Sequence, residues 1–166
     1  MADGEDGEME GTMSGGGQEQ EQGQGKDLGP VVVDGSNVAW EDQNANGKPQ
    51  IRNLRDMRKT LTRMGFDPIV IVDAALHHQI DQPDELDKLI DAGEIFQAPA
   101  GTDADYFVLE TAKDRDAPFV SNDTERDYQD RFTHLRQRRI PFMIVDGHIE
   151  LYQPNVKQAL EFTQES

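Results

Sequence analysis

The sequence predicts an α/β protein, a three-layer α/β/α sandwich built on a mainly parallel five-stranded sheet. Short apolar runs alternate along the chain with segments whose apolar residues recur every three or four positions, as in a helix. Within the runs, apolar residues follow one another without interruption, which is typical of strands that are buried on both faces. Parallel neighbouring strands need a crossover connection, and the helical segments provide it.

Each predicted strand is a short apolar run that is bounded by turn residues, and several of the runs end in an acid. The five predicted strands cover residues 31–34, 67–74, 94–99, 117–123 and 140–147. Ligands of such a sheet bind beyond the carboxyl ends of its strands, so we expect the functional site at this edge.

Helices are predicted in the segments between the strands. They cover residues 51–64, 83–93, 102–114 and 124–138. Pro83 lies near the first turn of the second helix, and Gly93 is the residue at which we expect that helix to stop. Thr102 is the candidate N-cap of the third helix, because its hydroxyl can accept a backbone N–H.

Residues 1–29 differ in composition from the rest of the chain. They contain nine of the 15 glycines, eight acidic residues and one Lys, with almost no large apolar side chain. Such a segment cannot bury enough apolar surface to offset its ordering entropy, so we expect a disordered acidic tail. Residues 30–166 form the single predicted domain.

The sequence contains no cysteine, which excludes disulfides, thiolate metal sites and thiol catalysis. No apolar run approaches the length of a membrane span. The N-terminus lacks the basic start and apolar stretch of a secretory signal. We therefore expect a cytoplasmic protein with no membrane partner.

The chain is strongly acidic, with 33 acidic and 16 basic residues and a net charge of −17. Residues 30–166 alone carry 25 acidic and 15 basic residues, so the excess is not confined to the tail. A net negative charge opposes nucleic-acid binding, because phosphate contacts need Lys and Arg. It is also typical of halophilic proteins, because in molar salt the screening length falls to about 3 Å. Adaptation to such salt is therefore a hypothesis for this chain.

Acidic residues gather at the predicted carboxyl edge of the sheet. Asp34 and Asp123 each follow a strand, Asp103 and Asp105 open a helix, and Asp127 lies one turn into the next helix. Hard oxygen ligands grouped in this way suit Mg²⁺ or Mn²⁺. A bound ion of this kind orients a water, lowers the pKa of that water and neutralises charge on a phosphate.

The spacing of these acids leaves simpler interpretations open. The string from Asp34 to Asn37 could form only a tight turn, since Asp, Gly, Ser and Asn all favour turns. Asp127 could pair with Arg131 on a helix surface, four positions along the chain.

Two further acids and a pair of histidines lie near the same edge. Asp73 and Asp146 are expected to be turn or cap residues rather than ligands. His77 and His78 follow the second strand, and adjacent residues in an extended segment point opposite ways. We therefore expect a role in the loop for the two histidines rather than a shared metal.

Three strings of the sequence resemble the motifs of the NYN branch of PIN-like nucleases. The string "VVVDGSNVAW" (31–40) resembles the first motif, in which a strand ends in Asp-Gly-x-Asn. The string "DADYFVLETA" (103–112) resembles the second, in which an acid opens a helix. In "FVSNDTERDY" (119–128), Ser-Asn-Asp follows a strand and another Asp comes four residues later, as in the third motif. The sequence resembles in particular the Regnase-type ribonuclease domains usually coupled to a CCCH zinc finger, from about residue 31 to residue 146.

The resemblance implies a PIN-like, Rossmann-like fold for residues 30–166. It also implies a Mg²⁺-dependent endoribonuclease, with Mn²⁺ as the alternative ion, that hydrolyses single-stranded RNA through a metal-activated water. By that likeness, Asn37 positions a ligand or the scissile phosphate. The residues implied to hold the metal and its water are Asp34, Asp105, Asp123 and Asp127.

The sequence departs from the family pattern in two places. Relatives often have two adjacent acids in the second motif, whereas this chain has Asp-Ala-Asp, so one acid is displaced and Asp105 is preferred to Asp103 as the implied metal ligand. Asp105 aligns better with the following Phe107 and Ala112. No zinc finger follows in this sequence, so we expect the targeting that the finger gives its relatives to come from elsewhere or to be missing.

Basic residues cluster in two groups along the chain. In so acidic a protein, these two groups are the natural phosphate-binding surface. Arg52, Arg55, Lys59 and Arg63 share one face of the first predicted helix, away from its apolar stripe. A second group consists of Arg126, Arg131, Arg136, Arg138 and Arg139. The residues predicted to bind RNA are Lys48, Arg52, Arg55 and Arg126. A solvated helix face explains any single one of them equally well.

Other functions are compatible with parts of this pattern. A catalytically silent RNA- or protein-binding module would keep the fold, but the presence of all four aligned acids argues against it. An aspartate-nucleophile phosphatase would want an acid where Ser36 stands, and a receiver domain would want paired acids at the first strand and a late Lys. The natural RNA, the cleavage position, the number of metal ions and the oligomeric state, a homo-oligomer included, stay open.

Overall fold

The computed structural model describes residues 27–124 and 130–164 of the chain. The predicted tail, residues 1–29, lies almost entirely outside these ranges, and so do Arg126 and Asp127. The elements up to residue 97 are β1 (Gly29–Asp34), α1 (Gly35–Glu41), α2 (Ile51–Met64), β2 (Phe66–Val72), a first 3₁₀ helix (Ala74–His78), α3 (Pro83–Asp91) and β3 (Ile95–Gln97). They are followed by α4 (Ala104–Arg115), β4 (Phe119–Val120), a second 3₁₀ helix (Asp130–Arg138), β5 (Arg139–Ile140), β6 (Phe142–Val145), β7 (His148–Leu151) and α5 (Gln153–Gln164).

Strand β1 is the centre of a five-stranded sheet with the order β3-β2-β1-β4-β5. Every neighbouring pair of strands in this sheet is parallel. The predicted α/β class with a mainly parallel five-stranded sheet is therefore confirmed. The chain moves outward from β1 to β2 and β3 and then crosses to β4 on the other side of β1. Open α/β sheets bind ligands in the crevice at such a reversal.

The two faces of β1 belong to two separate apolar clusters. Val31 and Val33 pack into the cluster that contains the buried residues of α1, α2 and α3. Val32 packs into the other cluster, with residues of α4 and of the second 3₁₀ helix. All three valines are fully buried. Helices therefore cover both faces of the sheet, as the uninterrupted apolar runs predict.

Helix α2 has the bounds that its apolar spacing predicts. Its buried stripe is formed by Ile51, Leu54, Met57 and Leu61. At the first residue, the N–H of Ile51 donates to Oδ1 of Asp81 over 2.9 Å. The helix ends at Gly65, whose φ of 107° lies in the left-handed region that glycine adopts without strain.

The predicted helix at 102–114 begins two residues later than expected, at Ala104. The prediction that Thr102 is its N-cap is wrong. Asp103 takes this role, with Oδ1 accepting the N–H of Asp105 over 2.9 Å. The carboxylate is the stronger acceptor at a helix N-terminus, because it also interacts favourably with the helix dipole.

The predicted fifth strand, residues 140–147, is wrong in its extent. Only β5 reaches the sheet, whereas β6 turns away and pairs with β7 as an antiparallel hairpin. Pro141 separates β5 from β6, and it has no N–H with which to continue a ladder. Asp146 and Gly147, with φ angles of 51° and 78°, form the two-residue turn of the hairpin.

The predicted helix at 124–138 differs as well, because its described part is a 3₁₀ helix. Phe132 and Leu135, three positions apart, are both buried there, as the repeat of a 3₁₀ helix allows. Elements α1, β7 and α5 have no counterpart in the prediction. Within the described part of the chain, no helix combines the length and the apolar character needed to cross a bilayer.

Candidate active site

Asp34 ends the central strand and is almost fully buried, with 5% of its surface exposed. It is also the N-cap of α1, because its Oδ1 accepts the backbone N–H of Asn37 over 3.4 Å. The strand passes into this helix without a loop. The carboxylate is therefore fixed at the point where the strand order of the sheet reverses.

The direct passage from β1 into α1 requires glycine at position 35. A Cβ atom there would lie 2.7 Å from Cγ1 of Val72 and 2.9 Å from the carbonyl oxygen of Ile71. These contacts are shorter than carbon atoms tolerate, so the start of α1 lies directly against β2. Ser36 adds a second link, since the N–H of Asp73 donates to its Oγ over 3.0 Å.

Ser121 connects the two acids that follow β1 and β4. Its Oγ donates to Oδ2 of Asp34 over 3.0 Å and accepts the backbone N–H of Asp123 over 3.1 Å. Ser121 is fully buried, while Asp123 is half-buried. One hydroxyl therefore orients the Asp34 carboxylate and the backbone that carries Asp123.

Asn37 spans the crevice between the two halves of the sheet. Its Oδ1 accepts the backbone N–H of Asn122 over 2.9 Å. This contact leaves its Nδ2 group to donate to a ligand. The structure therefore brings Asp34, Asn37 and Asp123 together, as the resemblance of the first and third motifs implies.

Asn122 anchors the β6–β7 hairpin to this edge. Its Nδ2 donates to the carbonyl oxygen of Phe142 over 2.8 Å, and its Oδ1 accepts the N–H of the same residue over 2.9 Å. Ser121 and Asn122 were not among the predicted site residues. Their signal was present in the string Ser-Asn-Asp, but only the acid of that string was assigned a role.

Asp103 is the N-cap of α4 and Asp105 lies in its first turn, and this helix follows the carboxyl end of β3. Asp103 is exposed and uses Oδ1 as the helix cap, whereas Asp105 is half-buried. Among residues 27–124 and 130–164, no three acidic or histidine side chains lie close enough together to hold a metal ion. The predicted ligand Asp127 lies outside these residues.

The donor chemistry of the described acids nevertheless suits a hard divalent cation. Carboxylate oxygens are the ligands that Mg²⁺ and Mn²⁺ prefer. The Ser121 hydroxyl contacts the carboxylate of Asp34 and the backbone N–H of Asp123, so the two residues lie close together. A ligand set of more than these two depends on Asp105 and on Asp127.

The predicted RNA-binding residues Lys48, Arg52 and Arg55 lie at or near the start of α2. Lys48 is exposed, in a loop closed by two backbone N–H groups that donate to Oδ1 of Asn44. Arg52 lies 3.6 Å from Asp42, and Arg55 lies 3.5 Å from Glu85. Exposed ion pairs of this kind contribute about 0–1 kcal/mol, so phosphate can replace the acids at little cost.

The second predicted basic group does not form a phosphate-binding surface as a whole. Arg138 is buried and bridges Asp116 at 2.8 Å and the carbonyl oxygen of Ala112 at 3.3 Å. Arg139 donates to the carbonyl oxygen of Ser121 over 2.9 Å. These two arginines stabilise the C-terminal end of α4 and the loop after β4, and the inclusion of the buried Arg138 in a phosphate-binding surface was wrong.

His77 and His78 lie in the first 3₁₀ helix, with ring centroids 5.0 Å apart. The expectation of an extended segment there was wrong. Nδ1 of His77 lies 2.9 Å from Oδ1 of Asp87, which links this helix to α3. The expected cap role of Asp73 is confirmed, because its Oδ1 accepts the N–H of Leu76 over 2.8 Å.

Comparisons with known proteins agree with this architecture. Residues 27–159 match the family model of the Zc3h12a-like ribonuclease NYN domain. Nuclear protein-only RNase P 2 of Arabidopsis thaliana has a similar solved structure, with 22% sequence identity and a TM-score of 0.61 over 80% of this chain and 31% of that chain. A second structure of the same plant protein gives 22% identity and a TM-score of 0.60 over 73% of this chain and 29% of that one. At this identity the likeness concerns the fold, and the match spans less than a third of the plant protein. The comparison with curated protein sequences gives no match.

Proposed function

Because the chain belongs to the Zc3h12a-like ribonuclease NYN domain family, we propose that it is a metal-dependent endoribonuclease that hydrolyses single-stranded RNA. The proposal rests on one contact system above all, the hydroxyl of Ser121 between Asp34 and Asp123. It orients the Asp34 carboxylate and holds the backbone of Asp123 beside it, in the crevice where open α/β sheets bind their ligands.

Mg²⁺ is the proposed cofactor, with Mn²⁺ as the alternative. Asp34, Asp105 and Asp123 would hold the ion together with Asp127. When bound, such an ion lowers the pKa of a water and neutralises the negative charge that develops on a phosphate.

The remaining chemistry belongs to side chains of this chain. Ser121 and the start of α1 hold the Asp34 carboxylate in one orientation, so little reorganisation is needed when a substrate arrives. Asn37, fixed through Oδ1, has Nδ2 with which to donate to an oxygen of the scissile phosphate. Lys48 and Arg52 supply positive charge next to this edge and position the RNA backbone.

The test compares Asp34→Asn and Asp123→Asn with Asp114→Asn, a control on the exposed side of α4 that removes the same charge. Labelled single-stranded RNA is incubated with each protein, with Mg²⁺ or with chelator. We expect both site variants to cleave at least about 100-fold more slowly than the parent, and the control to match the parent. Cleavage by the site variants at the parental rate, or parental cleavage in chelator, would contradict the proposal.

A second candidate function is a catalytically silent RNA-binding module of the same fold. It is favoured by the exposed cations Lys48 and Arg52, which can contact phosphate whether or not the protein holds a metal ion. Binding of RNA by the parent without cleavage in Mg²⁺ or Mn²⁺ would select this alternative.

A further inference from the structure

Helix α2 concentrates positive charge in a chain whose net charge is −17. Its basic residues are Arg52, Arg55, Arg58, Lys59 and Arg63, and its one acid is Asp56. Three of the arginines have acidic partners, with Arg58 the closest to its own, at 2.8 Å from Glu94. So much positive charge on one helix of an acidic protein favours a polyanionic ligand.

Lys59 and Arg63 differ from the three paired arginines. Both are exposed, and neither forms an ion pair with any residue that the structure describes. Arg63 lies in the last turn of α2, where a cation also stabilises the helix dipole. That explanation does not extend to Lys59, which lies a full turn earlier.

Lys59 and Arg63 line two open grooves, one on each side of α2. The first groove, of about 400 Å³, separates α2 from the β6–β7 hairpin and is also lined by Thr60 and His148. The second, of about 490 Å³, separates α2 from α3 and is also lined by Arg55 and Arg58. Asp56 and Glu150 line the first groove, but neither pairs with Lys59 or Arg63. A ligand that reaches one cation from either groove is therefore within reach of the other.

Helix α2 ends just before β2, which begins at the edge of the sheet opposite Asp34, so the row of cations leads away from the candidate active site. Arg52 lies in the first turn of α2, next to the turn of the hairpin, where its Nη2 is 3.8 Å from the position of a Cβ on Gly147. From Arg52 to Arg63 the helix rises by about 16 Å, at about 1.5 Å per residue. A single small anion cannot span this length, whereas an extended chain of phosphates can.

We propose that Lys59 and Arg63 bind backbone phosphates of RNA that extends from the active site along the outer face of α2. This inference rests on the proposed ribonuclease function. Lys and Arg form charge-assisted hydrogen bonds with phosphate, and contacts of this kind position a nucleic acid without reading its sequence. The row of cations on α2 therefore favours the binding of long single strands over short ones.

The test uses the whole chain with Lys59→Gln and Arg63→Gln combined. The matched control is Lys113→Gln with Arg115→Gln, which removes one Lys and one Arg from the exposed side of α4, on the opposite face of the sheet. Binding of RNAs of about 16 and about four nucleotides is measured by fluorescence anisotropy in chelator across a salt series. Cleavage in Mg²⁺ is measured in parallel.

For the long RNA at low salt, we expect the α2 variant to lose about tenfold in affinity. Its plot of log K against log salt should become shallower by about 1.4, since each contact with a single strand contributes about 0.7 to the slope. The control variant should keep the affinity and the slope of the parent. The short RNA should bind all three proteins alike, because it does not reach Lys59.

The proposed contacts of Lys59 and Arg63 are overturned if the α2 variant binds the long RNA with the affinity and salt slope of the parent. They are also overturned if the α2 variant and the control lose equal affinity. In that case the ribonuclease function stands if the parent still cleaves RNA. A parent that neither binds nor cleaves RNA would overturn both. The same assay is run with poly-glutamate as the ligand. If the α2 variant binds poly-glutamate more weakly than the parent but binds RNA as the parent does, the surface binds an acidic protein segment, and the proposed RNA contacts are overturned.

Discussion

The side-chain amide of Asn122 satisfies both backbone groups of Phe142. Its Nδ2 donates to the carbonyl oxygen over 2.8 Å, and its Oδ1 accepts the N–H over 2.9 Å. The N–H of Asn122 itself donates to Oδ1 of Asn37. One residue therefore joins the start of α1, the loop after β4 and the start of the C-terminal hairpin.

Asn122→Ala should lower the free energy of unfolding by about 2–3 kcal/mol, because two backbone groups of Phe142 lose their partner. Asn46→Ala is the control, since Asn46 is exposed and its N–H, which the substitution keeps, is what bonds to Asn44. Urea denaturation measures both. A loss in the Asn122 variant no larger than that in the control would mean that the hairpin does not depend on this amide.

Ser121→Ala should reduce RNA cleavage about tenfold or more, mainly in kcat, because the Asp34 carboxylate loses the donor that orients it. Ser36→Ala is the matched control: its hydroxyl also accepts the N–H of an aspartate, but at the end of β2. Both variants should lose about 1–2 kcal/mol of stability. Steady-state kinetics with equal kcat values for the two variants would remove the role of Ser121 in the site.

Gly35→Ala should destabilise the protein by about 1–3 kcal/mol, because the new methyl group meets Val72 and the carbonyl oxygen of Ile71. Gly93→Ala separates this clash from backbone strain. Gly93 has a φ of 77° and open space around its Cβ position, so its variant should lose only about 1 kcal/mol. Thermal melts in which the Gly35 variant has a higher melting temperature than the Gly93 variant would contradict the close approach of α1 and β2.

Salt should raise the melting temperature of this protein. The negative charges of the protein repel one another over about 30 Å at 0.01 M salt but over only about 3 Å at 1 M. Such repulsion destabilises the compact state. A chain without residues 1–26 is the control, and it should respond in the same way because residues 30–166 carry a net charge of −10. Melting curves across a KCl series that stay flat or fall would show that the acidic surface is not an adaptation to salt.

The parts of the fold that the sequence predicts are those with a strong local pattern. The spacing of Ile51, Leu54, Met57 and Leu61 followed by Gly65 is enough to bound α2. The hairpin was missed although Asp146-Gly147 between apolar runs is a signal for it. The run from 140 to 147 reads as one strand unless the missing N–H of Pro141 is taken into account.

In the candidate site, too, only the features with a local sequence pattern could be predicted. That Asp34, Asn37 and Asp123 lie near one another could be predicted, because each lies in a motif beside a strand end. The contacts of Ser121 and Asn122 could not, since they join residues 87 and 85 positions apart in the chain. Helix α1 was missed because its first residues, Gly35, Ser36 and Asn37, favour turns when seen alone.

Strand β1 has paired neighbours on both sides and helices over both faces, whereas β3 forms an edge. Amide deuterium should therefore enter β3 through small local openings, while the β1 amides exchange only when the whole domain opens. Asp34 is the last residue of that slowest strand. Its surroundings belong to the most cooperative unit of the molecule, so substrates and partners can rearrange the periphery of the site while the carboxylate itself keeps its place.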